Sequence, residues 1–289
     1  MNNQKNVGFI GVGHMGTGMV KNLLKSFNVY IIAHKNRKPI DELKKIGAIE
    51  VSSYDELCNL NLDCLILCVT NTPIAITIAK NISNKLKRQT LVIDITTHSK
   101  NGSIEMFNIF SNNQINYCES PVMGGPVQSQ EGILGAIIGA DKEIYVRSKE
   151  YLKSFCKNIF YFGIVGEGAK AKLICNFLSL GTATFVIETL KAAKKHNVDL
   201  EKFYEVAKLG SGNSGALARI ADKFLEGDNK GYIFSVDNSL KDLTYIHDLL
   251  KDMPNAEKLT AISKSIYKNA SDKGMGNLLI SELIDKDIN

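Results

Sequence analysis

The chain has 289 residues, a formal net charge of +5, and 44% hydrophobic residues with only 5 prolines. It is long for one domain, short for three, and apolar enough to bury a large core, which excludes a disordered chain and points to two domains. Lysines and acids are interleaved without a basic stripe, which argues against nucleic acid, and the apolar uncharged run 173–187 is too short to span a bilayer.

The first strand is predicted over NVGFIG, 6–11, reached from MNNQK without an apolar leader segment. A helix follows from about Met15 to Ser26, then a strand VYIIA at 29–33 and a helix IDELKKIGA at 40–48 that ends at a glycine. CLILCV at 64–69 reads as a third strand, 74–86 as an amphipathic helix, TLVIDI at 90–95 as a fourth strand and INYCES at 115–120 as a fifth. ILGAIIGA at 133–140 and IFYFG at 159–163 add two more. Strands apolar throughout and separated by helices imply a parallel sheet covered on both faces. Beyond Gly168 the pattern changes: 170–195, 199–209, 214–225, 235–251 and 255–272 all read as helices with no strand between them. The boundary is expected near Gly163. Six cysteines, at 58, 64, 68, 118, 156 and 175, form no C-x-x-C, and several sit in apolar runs. Such cysteines read as reduced thiols of a cytoplasmic protein rather than a disulfide framework or a zinc site.

The stretch VGFIGVGHMGTGMV, 7–20, places Gly11, Gly13 and Gly16 behind a strand and at the opening of a helix. This G-x-G-x-x-G is the dinucleotide fingerprint: one glycine for the tight turn, one for the approach of the pyrophosphate, one for helix–strand packing. The helix N-terminus offers free N–H groups and a positive dipole end to the phosphates. Val12, His14 and Met15 in the same turn, and Cys68 and Val69 after the third strand, are counted with the cofactor site.

The end of the second strand selects the nucleotide. NAD binders carry an acid there for the ribose hydroxyls. Here IIAHKNRK, 31–38, has none before Asp41, while His34, Lys35 and Arg37 suit a 2′-phosphate. NADP is expected in preference to NAD.

Three further stretches carry chemistry. DITTHS, 94–99, puts Thr96 and Thr97 at the carboxyl edge of the sheet, and ESPVMGGPV, 119–127, ends the fifth strand with Gly124 and Gly125. In GIVGEGAKAKLICN, 163–176, Lys172 and Asn176 are four apart, hence on one helical face, at the junction of the two domains where active-site clefts form. No His/Asp/Glu cluster suggests a metal.

These segments together resemble the β-hydroxyacid dehydrogenases, a family that includes 3-hydroxyisobutyrate dehydrogenase and tartronate semialdehyde reductase. The resemblance spans nearly the whole chain. It rests on Gly11, Gly13, Met15, Gly16 and Met19; on Asp94, Thr96 and Thr97; on Pro121, Val122, Gly124 and Gly125; on Gly166, Gly168, Lys172 and Asn176; and on Lys241, Asp242 and Leu243. It implies an α/β Rossmann-type N-terminal domain with a mainly parallel sheet, 1–163, followed by an all-α substrate and dimerisation domain, 164–289. It implies hydride transfer between NAD(P) and a small 3-hydroxy acid or its oxo or semialdehyde form, in a cytoplasmic homodimer or homotetramer that needs neither nucleic acid nor membrane. Lys172 is the implied proton donor or base, and Asn176 holds the substrate oxygen or orients the lysine. Gly124 and Gly125 bind the substrate carboxylate, Thr97 lies against the nicotinamide ribose, and Lys241 closes over the cofactor. Three positions depart from the pattern: Met123 stands where a substrate-contacting serine is usual, Lys100 where a proline is, and His34-Lys35 where many members have Arg-Thr. Imine-reducing relatives usually lack the lysine, so Lys172 argues against that chemistry. Two alternatives are a reductase of small aldehydes such as glyoxylate or succinic semialdehyde, and a catalytically silent NADP-binding protein.

Overall fold

The computed structural model describes residues 4–33 and 36–286, so the expectations placed on His34 and Lys35 lie outside the described residues. The chain forms two compact units, Met1–Lys172 and Leu173–Asn289.

In the first unit, strands and helices alternate: β1 Asn6–Ile10, α1 His14–Leu23, β2 Asn28–Ile32, α2 Lys38–Lys44, β3 Ile49–Val51, α3 Tyr54–Asn59, β4 Cys64–Leu67, α4 Thr72–Ile82, β5 Leu91–Asp94, α5 Lys100–Ser111 and β6 Asn116–Glu119. Then come β7 Val122–Met123, α6 Pro126–Glu131, β8 Leu134–Gly139, α7 Lys142–Leu152, β9 Cys156–Gly163 and the start of α8, Glu167–Lys195. The strands make one sheet in the order β3-β2-β1-β4-β5-β6-β8-β7, with β9 beside β8. Pairing is parallel from β3 to β6 and between β8 and β9, and antiparallel where β8 meets β6 and β7. The sheet is the mainly parallel one expected. Strand order reverses between β1 and β4, and in such sheets the crevice beyond those carboxyl ends receives the ligand.

Side chains alternate between the two faces. Val7, Phe9, Val29, Ile31 and Ile66 pack with Met19 and Leu23 of α1 in one core layer. Ile10, Leu65, Leu67 and Val92 pack with Leu57, Ile82 and Phe110 in the other. Both faces are therefore covered, and this is why the strands read as unbroken apolar runs.

The elements that composition did not announce are short or polar. β3 is three residues, and α3 is six, started by Ser53, whose side chain accepts from Glu56 N. α5 opens on Lys-Asn-Gly but is nucleated by Ser99, which accepts from Gly102 N. α4 begins at Thr72 rather than 74 because Asn71 caps it, accepting from Ile74 N, with Pro73 in its first turn.

The second unit is helical: the rest of α8, α9 Leu200–Ala207, α10 Gly215–Leu225, α11 Val236–Leu250 and α12 Pro254–Ala270, ending in a π turn and a 3-10 turn. A single bridge, Ser235 to Leu279, is its only strand-like pairing among the described residues. Its core holds Leu173, Leu180, Ile187, Leu190, Leu217, Leu243, Ile246 and Tyr267. Inside that core Thr184 Oγ1 and the Tyr267 hydroxyl share a hydrogen bond of 2.8 Å. α8 is long and apolar enough, by length and composition, to cross a membrane, with 44% of its most apolar window buried inside the structure. Its 29 residues exceed the uncharged run because the helix continues through charged residues on either side, from Glu167 to Lys172 before it and from Glu188 to Lys195 after it.

Candidate active site

The three fingerprint glycines are forced by three different approaches. Gly11 sits at φ +107°, and a Cβ there would lie 2.0 Å from Cys68 O. The loops after β1 and β4 therefore run against each other, and only glycine fits. A Cβ at Gly16 would lie 2.2 Å from Gly11 O and 2.9 Å from the Phe9 ring, so this glycine lets α1 lie on β1. At Gly13 a Cβ would meet nothing within 4 Å. Gly13 is the N-cap of α1, exposed, and no acid occupies the first turn. An open approach, bare N–H groups and a positive helix end are the requirements of a bound phosphate. Val12 and Met15 pack on the core beneath, and His14 is exposed.

Arg37 departs from its expected role. Its guanidinium donates to Glu50 Oε1 at 2.5 Å and Oε2 at 3.2 Å, and to Asp41 Oδ1 at 2.7 Å. Lys44 adds a 2.8 Å bond to Glu50. The Arg37 guanidinium first, then the Lys44 ammonium, push the Glu50 carboxyl down to about 2. Arg37 thus pairs with Glu50 of β3 and Asp41 of α2.

The loops after β4 and β5 are tied together. Val69 N donates to Thr96 Oγ1 at 3.2 Å. Asp94, fully buried, accepts from Thr96 N at 3.0 Å and from the Tyr117 hydroxyl at 3.2 Å, and binds His98 Nε2 at 2.9 Å. His98 Nδ1 lies 3.0 Å from Thr72 Oγ1. Because a carboxylate only accepts, Nε2 carries a proton towards Asp94, and Nδ1 meets the Thr72 hydroxyl. Burial first, then Asp94, holds the Tyr117 hydroxyl well above its usual range, so it stays protonated and donates to Asp94. This buried relay fixes the edge on which half-buried Thr97 stands. His98 was not singled out from the sequence; its signal was a histidine within a polar run ending a buried strand. Burial pushes the Cys68 thiol up to about 12, so it is neutral.

In the loop after β6, Met123 pairs with Gly135 and Val122 with Ala136 of β8. Gly124 takes φ +113°, with its missing Cβ directed at Leu134. Gly125 does not offer its N–H as expected: it donates to Gln128 Oε1 at 2.9 Å, where Gln128 caps α6.

Lys172, 9% exposed, donates to Val122 O at 2.7 Å and touches Met123 Sδ at 3.4 Å. Lys170 instead pairs with Glu167 at 2.6 Å on the partly exposed side. In the second unit, Asn176 Nδ2 donates to Asp242 Oδ2 at 2.7 Å, both residues buried. The carboxylate dictates the amide orientation, turning Asn176 Oδ1 away from Asp242 as a remaining acceptor. Lys241 Nζ lies 3.0 Å from Asp242 Oδ1 and 5.8 Å from the Tyr245 ring. Asp242 belongs to the Lys-Asp-Leu segment of the resemblance, which assigned it no role; here it is the partner of both Asn176 and Lys241. No group of three or more metal-ligating side chains occurs among the described residues.

Residues 6–163 match the family model for the NAD binding domain of 6-phosphogluconate dehydrogenase, and residues 166–285 that for the NAD-binding region of NADP-dependent 3-hydroxyisobutyrate dehydrogenase. The 2-(hydroxymethyl)glutarate dehydrogenase of Eubacterium barkeri is 24% identical over 96% of this chain and 93% of its own. The mitochondrial 3-hydroxyisobutyrate dehydrogenase of Drosophila melanogaster is 25% identical over 97% and 89%. The crystal structure of 3-hydroxyisobutyrate dehydrogenase from Salmonella typhimurium shares the fold, with a TM-score of 0.88 and 22% identity, over 97% of this chain and 99% of that one.

Proposed function

We propose a reaction for this chain from one premise: it belongs to the β-hydroxyacid dehydrogenase family. It is an NAD(P)-dependent oxidoreductase of hydroxy acids, acting on a CH–OH group. The finer reading is that it interconverts a small 3-hydroxy acid and its oxo or semialdehyde form. One observation carries that reading: a lysine, Lys172, is kept almost wholly buried with its ammonium at the substrate loop, bonded to Val122 O. A buried cation needs a fixed partner to be tolerated, and the Val122 carbonyl holds this one beside Met123, in the loop proposed to receive the substrate.

The residues present fit a dinucleotide, since Gly13 is open and the N-terminus of α1 is bare of acid. Gly11 to Gly16 hold the pyrophosphate, the Cys68–Val69 and Thr97 edges the nicotinamide half, and Lys241 the cofactor from the helical unit. Bound nicotinamide supplies or accepts the hydride. The chain handles the proton and the charge. As the substrate oxygen gains alkoxide character, Lys172 stabilises it and donates a proton; in the oxidising direction the same Nζ takes the proton back. Asn176, its amide oriented by Asp242, fixes the substrate oxygen or the lysine. The substrate carboxylate is received at Gly124 and at Gly125, whose N–H becomes available when Gln128 swings aside.

Residues 1–163 serve as the NAD(P)-binding domain and 164–289 as the substrate and dimerisation domain. NADP is preferred to NAD, on the basic character of the turn after β2. A homodimer or homotetramer is supported by exposed Ile174, Leu178 and Phe185 on one face of α8. Cytoplasmic location is supported by six free cysteines. The test is oxidation of NADPH and NADH over a panel of small oxo-acids and semialdehydes. Turnover of a 3-oxo acid or semialdehyde supports the reading. Preference for glyoxylate or succinic semialdehyde favours the aldehyde-reductase alternative, and cofactor binding without turnover the silent one.

A further inference from the structure

We propose that Glu119 is a positioning residue for this reaction: its carboxylate clamps the first turn of α8 and so sets where Lys172 presents its ammonium. The proposal rests on the reading of Lys172 as the proton donor.

Glu119 ends β6 and is fully buried. Its Oε1 accepts three backbone N–H groups at once, from Gly166 at 2.7 Å, Gly168 at 2.8 Å and Ala169 at 3.2 Å. These are the otherwise unpaired donors at the start of α8, a set normally met by a capping side chain next door in sequence. Here the cap comes from 47 residues earlier. Two glycines clear its path. A Cβ at Gly139, the cross-strand partner of Glu119, would lie 1.9 Å from Oε1, and one at Gly168 would lie 3.0 Å away. The acceptor is therefore built into the packing on two sides.

Burial pushes the Glu119 carboxyl up, while the Ser103 hydroxyl and the backbone N–H groups of Gly166, Ala169 and Gly168 draw it back down. Ser103 faces the carboxyl group without the geometry of a hydrogen bond, and neither Ser103 Oγ nor Glu119 Oε2 has another partner. Holding a buried carboxylate with a half-satisfied oxygen costs stability. A local Ser or Asp at the N-cap would close the helix without that cost. What the remote cap adds is a link. Glu119 is three residues before Val122, whose carbonyl receives Lys172 Nζ. One residue thus joins the root of the substrate loop to the start of the lysine's helix, one turn before Lys172.

The closing experiment is a set of steady-state measurements, with kcat, substrate KM and NADPH dissociation constant for each variant. Glu119→Gln keeps the length and one acceptor oxygen, and its kcat is expected within about threefold of wild type. Glu119→Asp withdraws the acceptor by one methylene, and kcat should fall about 10- to 100-fold, the scale of a small misplacement of a reacting group. Cofactor affinity and KM should move less than about twofold for both. In a Lys172→Ala background, Glu119→Asp should lower the residual turnover no further, because the group it positions is gone. An equal loss in both backgrounds, or a loss appearing in KM or cofactor affinity, overturns the proposal in favour of a purely structural role. If Lys172→Ala alone retains wild-type turnover, the reading of Lys172 fails, visible without any Glu119 variant, and this proposal falls with it.

Discussion

Met123 is the residue whose chemistry bears most directly on substrate choice. Its sulfur touches Lys172 Nζ, so on the proposed reading a substrate at the lysine meets a thioether where a hydroxyl is usual. Polar substituents beside the substrate carboxylate lose a hydrogen-bond partner there and are disfavoured. Met123→Ser should raise kcat/KM for hydroxylated substrates such as tartronate semialdehyde about 10-fold or more relative to apolar ones. An unchanged ranking would mean that residue 123 does not face the substrate. Arg37 makes a second case. Arg37→Ala should weaken NADPH more than NADH if the guanidinium reaches a 2′-phosphate. Glu50→Gln, which removes the charge holding Arg37, should then strengthen NADPH binding relative to NADH. Equal changes for the two cofactors in both variants would place Arg37 in a structural ion pair alone. The reach of sequence reading is visible in this pair. The basic turn was legible, but β3 is a three-residue strand with no apolar run, so nothing in the sequence placed Glu50 beside Arg37. The Gly125 N–H was hidden for a related reason: it is held by a side chain three residues on, and a capping glutamine is invisible until the helix it caps is recognised.

At the scale of elements, the parts that were legible are those whose packing imposes a period. Strands β1, β4 and β5 are covered on both faces and read as continuous apolar runs, and the glycines of the first turn follow from the crossing of two loops and a helix over one strand. α3 and α6 escaped because six residues give too little period to detect. The long helix α8 shows the converse, a legible element whose burial was not. Its face with Leu173, Leu180 and Ile187 lies in the core of the second unit, whereas Leu178 and Phe185 are 73% and 70% exposed. In the oligomer proposed above, these side chains would lie against a neighbouring subunit. Leu178→Lys with Phe185→Lys should lower the molar mass in solution, read by light scattering after gel filtration. A protein that is already a monomer, or an oligomer unmoved by the double substitution, would remove this face from the assembly.

For the whole molecule, the proposed chemistry rests on one helix. α8 begins under the cap of Glu119, carries Lys172 and Asn176 one turn apart, and runs on into the core of the helical unit. Lys170 and Lys172 point about 200° apart around that helix, so only one of them shares a face with Asn176. The structure buries Lys172 at Val122 and leaves Lys170 in a partly exposed pair with Glu167. The most direct measurement is kcat for Lys172→Ala and Lys170→Ala, taken together with their NADPH dissociation constants. Lys172→Ala should lose about 10²- to 10⁴-fold in kcat, the range for removal of a general acid or base, with cofactor affinity nearly unchanged, and Lys170→Ala should turn over almost as wild type. A dead Lys170→Ala enzyme, or undiminished turnover in both, would contradict the account.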